Sequence, residues 1–228
     1  MITGYLEGRS VVIKDEKEAS RLRNRGYKGK DIGTKLSLSL PVSYYLARSG
    51  RLEILSGMKK MGSEDLVTIM NGSERRIASA YAYLRADGKN PQVRGRGMWW
   101  NELPVRIYSE NEIVDLSKFG KKSYLCVTSS EGCLLYLSEL FLKKKGGMNL
   151  KEALEKKGYR VGDGLKYGCD YRVYEDLPHA TFLITYDDRP IARDLVARVR
   201  IAHSVRKIYV HASYSKGQLV LYKFLWVR

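Results

Sequence analysis

"KKSYLCVTSSEGCLLYL" (121–137) and "RKIYVHASYSKGQLVLY" (206–222) decide how the rest of the chain is read. The first lies over the second without a gap at an offset of 85 residues, so that Lys122 falls on Lys207, Tyr124 on Tyr209 and Gly132 on Gly217. Each is an apolar-rich run broken by a short polar turn that contains glycine, the pattern of a β-hairpin. The elements before them also agree in order, a helix and a strand leading into the hairpin. Upstream, "LRADG" (84–88) matches "LEKKG" (154–158) loosely. Together these matches predict an internal duplication, with two α/β units of the same kind.

Outward from the repeat, "DEKEASRLRNRGYKG" (15–29) reads as a helix capped by Asp15, with Glu18 three positions on, and stopped by Gly26. "TKLSLSLPVSYYLARSGRLEIL" (34–55) begins as a strand and turns helical, with Pro41 in the first turn and Gly50 at the end. Helices are expected at 63–70 and 73–88, then a Gly- and Arg-rich join at 91–100, a strand at 103–109 and a helix at 110–120. In the last third, a helix and turn at 149–161 precede two strands interrupted by Pro178-His179, and a helix at 190–204 precedes the second hairpin. The expected fold class is α+β. A mixed α/β cap domain over 1–72 is followed by two tandem α/β units over 73–140 and 141–228, the first of them degenerate.

A chain of 228 residues, 44% of them hydrophobic, can bury one sizeable core or two modest ones. Its 29% of charged residues argues against general disorder. The formal charge of +16 predicts a polyanionic partner. The basic residues form no tail: "LFLKKKGG" (140–147) is one short run, and Arg193, Arg198, Arg200, Arg206 and Lys207 share a later segment. That distribution suggests a footprint on a folded surface. No apolar run approaches the roughly 18 residues of a membrane span, and the N-terminus lacks the basic-then-apolar pattern of a signal peptide. Cys126, Cys133 and Cys169 form no Cys-x-x-Cys pair, so the expectation is a cytoplasmic, reduced, metal-free chain without a cofactor.

The stretch with most chemistry is "GLKYGCDYRVYEDLPHATFL" (164–183). Tyr174 ends a strand, His179 follows in a loop, and Lys207 begins a later strand. Strand ends and the loops beside them can converge on one point. The nearby carboxylates Asp170, Glu175, Asp176, Asp187 and Asp188 make no convincing metal cage. Metal-free acid–base chemistry on RNA fits better, because RNA carries its own nucleophile in the 2′-hydroxyl. Cleavage then needs a base for that proton, an acid for the leaving 5′-oxygen and a cation for the phosphorane. Histidine suits the acid and lysine the cation, while tyrosine as base requires neighbouring cations that favour phenolate. By composition alone, a basic RNA-binding module without chemistry is the leading reading. A DNA-resolving nuclease would want clustered carboxylates and a divalent ion. His203 and His211 read as structural.

Two blocks resemble the archaeal tRNA-splicing endonucleases: "KKGYRVGDGLKYGCDYRVYE" with the histidine that follows it, and "VRIAHSVRKIYVHASY". The segment "DEKEASRLRNRGYKGKDIGTKLSLSLPVSYYL" is similar to that family's N-terminal domain. The similarity is strong over roughly 1–55 and 149–228 and weak between them. It implies a metal-independent endoribonuclease that excises introns from precursor tRNA at bulge-helix-bulge motifs, leaving 2′,3′-cyclic phosphate and 5′-hydroxyl ends. Position by position, it implies Tyr174 as general base, His179 as general acid and Lys207 as transition-state cation, with no metal. Arg200 would help to sandwich a bulge base, and Arg193, Arg198 and Arg206 are further RNA-binding candidates. The resemblance also makes 73–140 a structural, nuclease-like unit and 141–228 the catalytic nuclease domain. Members with duplicated chains form homodimers, and others form heterotetramers with a separate subunit. The duplication favours the homodimer, assembled through an acidic hairpin loop that here retains Glu131. The alternative is a non-catalytic RNA-binding or structural partner subunit of a heteromeric enzyme. The Tyr174–His179 loop is shorter than the family usually has.

Overall fold

A computed structural model describes residues 1–130, 132–145, 149–215 and 217–227, with the side chains of Lys145 and Ser215 excepted. Glu131 and Lys216 lie outside the described residues. The chain divides into two compact units, 1–107 and 108–228. The two expected joins fall inside elements: 72/73 lies in a helix, Gly72–Ala86, and 140/141 in a strand, Cys133–Lys145.

Unit 1 is a six-stranded sheet with helices. Strands β1 (Ile2–Glu7) and β2 (Ser10–Ile13) form a hairpin. Helix α1 (Glu16–Asn24) is capped as expected, the Asp15 carboxylate accepting from Glu18 N at 2.8 Å. The Glu18 carboxylate does not complete a reciprocal box; it accepts from Thr3 N and so ties α1 to β1. Strand β3 (Lys30–Ile32) pairs with β4 (Lys35–Ser39), which leads into α2 (Leu40–Arg48) with Pro41 in its first turn. Strands β5 (Leu52–Ser56) and β6 (Lys59–Met61) complete the order β3-β4-β2-β1-β5-β6. Two further helices follow, α3 (Ser63–Ile69) and α4 (Gly72–Ala86), and α2 packs against both. The Gly- and Arg-rich stretch expected as a join is instead a hairpin of β7 (Gln92–Arg94) and β8 (Gly97–Trp100), with β9 (Leu103–Ser109) pairing onto β8. Gly95 takes its turn at φ +58, which is why a glycine-rich run folds back here.

Unit 2 is built on both hairpins of the repeat. Strands β10 (Lys122–Thr128) and β11 (Cys133–Lys145) form the first. After α5 (Leu150–Glu155) come β12 (Arg160–Asp163), β13 (Tyr171–Tyr174) and β14 (Phe182–Tyr186). Helix α6 (Ala192–Ser204) crosses over to β15 (Ile208–Ser215), which lies parallel to β14 and forms the second hairpin with β16 (Gln218–Trp226). Within this unit the strand order is β12-β13-β14-β15-β16-β11-β10, so the two hairpins meet through β11 and β16, antiparallel.

The sheet of unit 2 is buried on both faces. Tyr209, Val220, Tyr222 and Phe224 point to one side, where Leu195, Val196 and Val199 of α6 pack with Phe119. Val210, Ala212, Leu219 and Leu221 point to the other, against Leu150, Ala153 and Leu154 of α5. A β-bulge between Leu140 and Leu142 turns Phe141 onto the α5 side, 4.9 Å from the Phe182 ring.

The helix expected at 110–120 does not form. Val114 N donates to Pro190 O, Ala192 N donates to Glu112 O, and Ile113 bridges to Ile191, so these backbone groups are taken by the segment that enters α6. Only a 3₁₀ turn over Leu116–Lys118 remains. The cysteines also depart from the reduced state expected: Cys126 and Cys133 form a disulfide across the β10–β11 hairpin, and Cys169 is free. Thr128 pairs with Cys133, which puts Cys126 on the same face one step along the strand, within bridging range at a Cα separation of 6.4 Å. Among the described residues no helix is long and apolar enough to cross a membrane.

Candidate active site

The loop from Tyr174 to Ala180 closes on itself. Strands β13 and β14 pair with Val173 opposite Phe182, and Thr181 N donates to Val173 O at 2.8 Å. The chain therefore leaves at Tyr174 and returns at Ala180 on neighbouring strands. Residues 175–179, His179 among them, are exposed, while Tyr174 is half-buried. Strand β15 lies on the far side of β14, and Ile208 N donates to Thr181 O. One residue earlier, the Lys207 ammonium donates to Ala180 O at 2.8 Å. That bond fixes the lysine against the residue that follows His179. The three residues singled out in the sequence thus border one loop at one edge of the sheet, although their side chains make no hydrogen bond to one another.

The delivery of Lys207 is built locally. Helix α6 ends with Lys207 N donating to Ala202 O and Arg206 N to His203 O. Arg206 makes the turn at φ 56, a left-handed conformation more usual for glycine at a helix end. On the other flank, "GLKYG" forms a 3₁₀ turn closed by Gly168 at φ +63. A side chain at Gly164 would meet Cys169 O at 2.5 Å, so the turn admits only glycine there. The turn brings the Tyr167 ring to 6.0 Å from Lys207 Nζ, a cation–π contact that nothing in the spacing had pointed to. The two glycines four apart are the signal in the sequence that marked the turn.

The arginines sort differently. Arg200 stacks on Trp226 at 5.4 Å, and Trp226 in turn neighbours Tyr136 at 6.4 Å and His203 at 5.5 Å. Because Tyr209 lies opposite Phe224, Lys207 and Trp226 end at the same edge of the sheet. Arg200 and Arg193 also line a cavity of about 400 Å³ beside Ser129 and Gly132 of the first hairpin turn. Arg193 is exposed and donates to Asn111 Oδ1 at 2.7 Å. Arg198 is half-buried beside the Tyr209 hydroxyl, a place in the packing of α6 and not on the open surface. Arg206 is exposed. Lys122, the counterpart of Lys207 in the repeat, has no such loop: it pairs with Glu139 at 2.6 Å, which holds its ammonium above the ordinary lysine range. Glu131 lies outside the described residues. Among the described residues no three His, Cys, Asp or Glu side chains gather as metal ligands.

Two family models match the chain. The model of the tRNA intron endonuclease N-terminal domain matches residues 2–67, and that of the catalytic C-terminal domain of the same family matches residues 149–222. The chain belongs to the tRNA intron endonuclease family. It is similar over its whole length to the tRNA-splicing endonuclease of Thermococcus gammatolerans, 26% identical across 99% of that protein, and to that of Thermococcus kodakarensis, 23% identical across 99%. A shorter match to the tRNA-splicing endonuclease of Pyrococcus horikoshii is 40% identical over 80 residues, covering 33% of this chain and 47% of that one. The catalytic-domain model spans the loop, Lys207 and both blocks on which the sequence resemblance rested. The chain is an endonuclease of this family, and the family's activity is excision of tRNA introns.

His211 belongs to the scaffold of this domain. It is fully buried, with Nδ1 2.9 Å from the Tyr209 hydroxyl and Nε2 2.8 Å from Asp187 O. Burial pushes its imidazole down to about 4, with the bond to Asp187 O working the other way. Between pH about 6.5 and 4 the unfolded chain therefore binds a proton here that the folded one does not. Stability from this group is complete above pH about 6.5 and is lost as pH falls towards 4, by up to ~3 kcal/mol. Urea unfolding from pH 7 to 4 should show that decline. His211→Gln, which has no such proton to gain, should show a flatter profile, and equal slopes for both proteins would contradict the assignment.

Proposed function

We propose that this chain is a metal-independent endoribonuclease that cuts precursor tRNA at bulge-helix-bulge motifs. Tyr174, as general base, takes the proton of the 2′-hydroxyl, which attacks the adjacent phosphorus. The His179 imidazolium protonates the departing 5′-oxygen, and the Lys207 ammonium neutralises the crowded phosphorane. The bond to the 5′-oxygen breaks as the bond to the 2′-oxygen forms, so the products are a 2′,3′-cyclic phosphate and a 5′-hydroxyl. Both electrons and protons balance within RNA and protein. The observation that carries this reading is the Lys207–Ala180 hydrogen bond, which ties the cation to the loop between Tyr174 and His179. Exposure of that loop leaves room for a folded RNA, and Arg200 on Trp226 offers a planar cation at the same sheet edge for an unpaired base.

The duplicated chain works as a homodimer in this reading, with the β10–β11 unit structural. Support comes from the pairing of β11 with β16, in which the two hairpins of the repeat face each other as antiparallel counterparts. Lys122 spent on an ion pair with Glu139 supports the loss of chemistry in the first unit.

Tyr174→Phe and His179→Ala are each expected to slow cleavage of an end-labelled bulge-helix-bulge RNA by roughly 10²–10⁴-fold while binding changes little. Lys207→Met is expected to lose about 10²–10³-fold. Cleavage at the normal rate by Tyr174→Phe would overturn the assignment. Light scattering of the purified protein should give a mass near twice that of the 26.1 kDa chain. A monomer that cleaves, or activity only after a different chain is added, would refute the homodimer.

A further inference from the structure

Unit 1 contains a cavity that the chemistry above does not use. It lies where α2 packs against α3 and α4, with a volume of about 460 Å³. Tyr44 and Arg48 border it from α2, and Arg75 and Tyr83 from α4. Ala78 and Ala82, one turn apart on α4, form part of its wall and leave the space open. Arg48 Nη1 donates to the Tyr44 hydroxyl at 3.1 Å, and Arg75 Nε donates to Met70 O at 3.1 Å, so both guanidiniums are held at the rim. No carboxylate lines the cavity.

Three aromatic rings (Tyr44, Tyr45 and Tyr83), two arginines and no acid among the lining residues favour a ligand that is flat, unsaturated and anionic. A volume of this order, within the roughly 300–1,000 Å³ of small-ligand sites, suits a single nucleotide and excludes a duplex. Bases inside a duplex offer no face for stacking, so the nucleotide must be unpaired. We propose that this face of unit 1 binds one unpaired nucleotide of the RNA, its base against Tyr44 and Tyr83 and its phosphate against Arg48 and Arg75. The site deepens the RNA-processing reading given above and rests on RNA being the partner. It gives the N-terminal unit a role in holding a single-stranded part of the substrate. Arg–phosphate pairing supplies attraction and aromatic stacking supplies the preference for unpaired RNA.

The test uses the full chain carrying Tyr174→Phe, so that RNA is not consumed. Binding of a single-stranded RNA oligonucleotide bearing 4-thiouridine is measured beside a duplex of the same length, followed by photocrosslinking and peptide mapping. Cross-links at the α2 and α4 segments are expected. Tyr44→Ala and Arg48→Gln should each weaken single-strand binding roughly tenfold with little change for the duplex. Tyr44→Phe and Arg48→Lys keep ring and charge and should stay within about threefold of the parent, which separates loss of the site from loss of fold. Cross-links elsewhere with unchanged affinities would overturn the proposal, as would variants that alter only the association state, which would mark the face as a protein contact. If the active-site reading alone is wrong, the wild-type chain fails to cleave while these binding results stand.

Discussion

The pairing of β11 with β16 is the constraint on which the rest of unit 2 depends. It joins the two hairpins of the repeat edge to edge, and so places β15 and β16 inside a sheet covered on both faces. Tyr209, Val220, Tyr222 and Phe224 then meet α6, while Val210, Leu219 and Leu221 meet α5. A strand buried on both sides has little freedom to slip, because a one-residue shift would exchange the two cores. The start of β15, and with it Lys207, is held by that register.

From there the site follows from short-range geometry. β14 lies parallel to β15, so the start of β14 and Lys207 meet at one edge. The hydrogen bond from Lys207 to Ala180 O uses a backbone carbonyl, which fixes the ammonium without neutralising it. The corresponding Lys122 instead pairs with the carboxylate of Glu139, which also faces Lys223. In the function proposed above, that contrast between a carbonyl and a carboxylate partner is the reason Lys207 is assigned the cation's role and Lys122 is not.

Much of this was legible in the sequence because local chemistry and tertiary structure agree. The Asp15 cap, the turns at Gly26 and Gly50 and the two hairpins each follow from residues adjacent in the chain. The failures lie where distant segments compete for backbone groups. Residues 110–120 carry a helical pattern, but Pro190 O and Ala192 N take their hydrogen bonds. The β7–β8 hairpin is hidden because arginine and glycine dominate a stretch that pairs mainly through its backbone. Arg198 reads as a surface cation in a basic helix, yet its half-buried place beside Tyr209 follows only from how α6 docks. The disulfide was missed because Cys-x-x-Cys spacing is a rule for metal and redox motifs, whereas the hairpin register sets which cysteines meet.

In the function proposed above, protein groups and the RNA's own 2′-hydroxyl suffice for the cut. The direct measurement is cleavage of an end-labelled bulge-helix-bulge RNA by the purified chain in excess EDTA, with both product ends identified. Cuts at both bulges are expected, each leaving a 2′,3′-cyclic phosphate and a 5′-hydroxyl. Cleavage that requires an added divalent ion, or that leaves a 5′-phosphate and a 3′-hydroxyl, would contradict the proposed function.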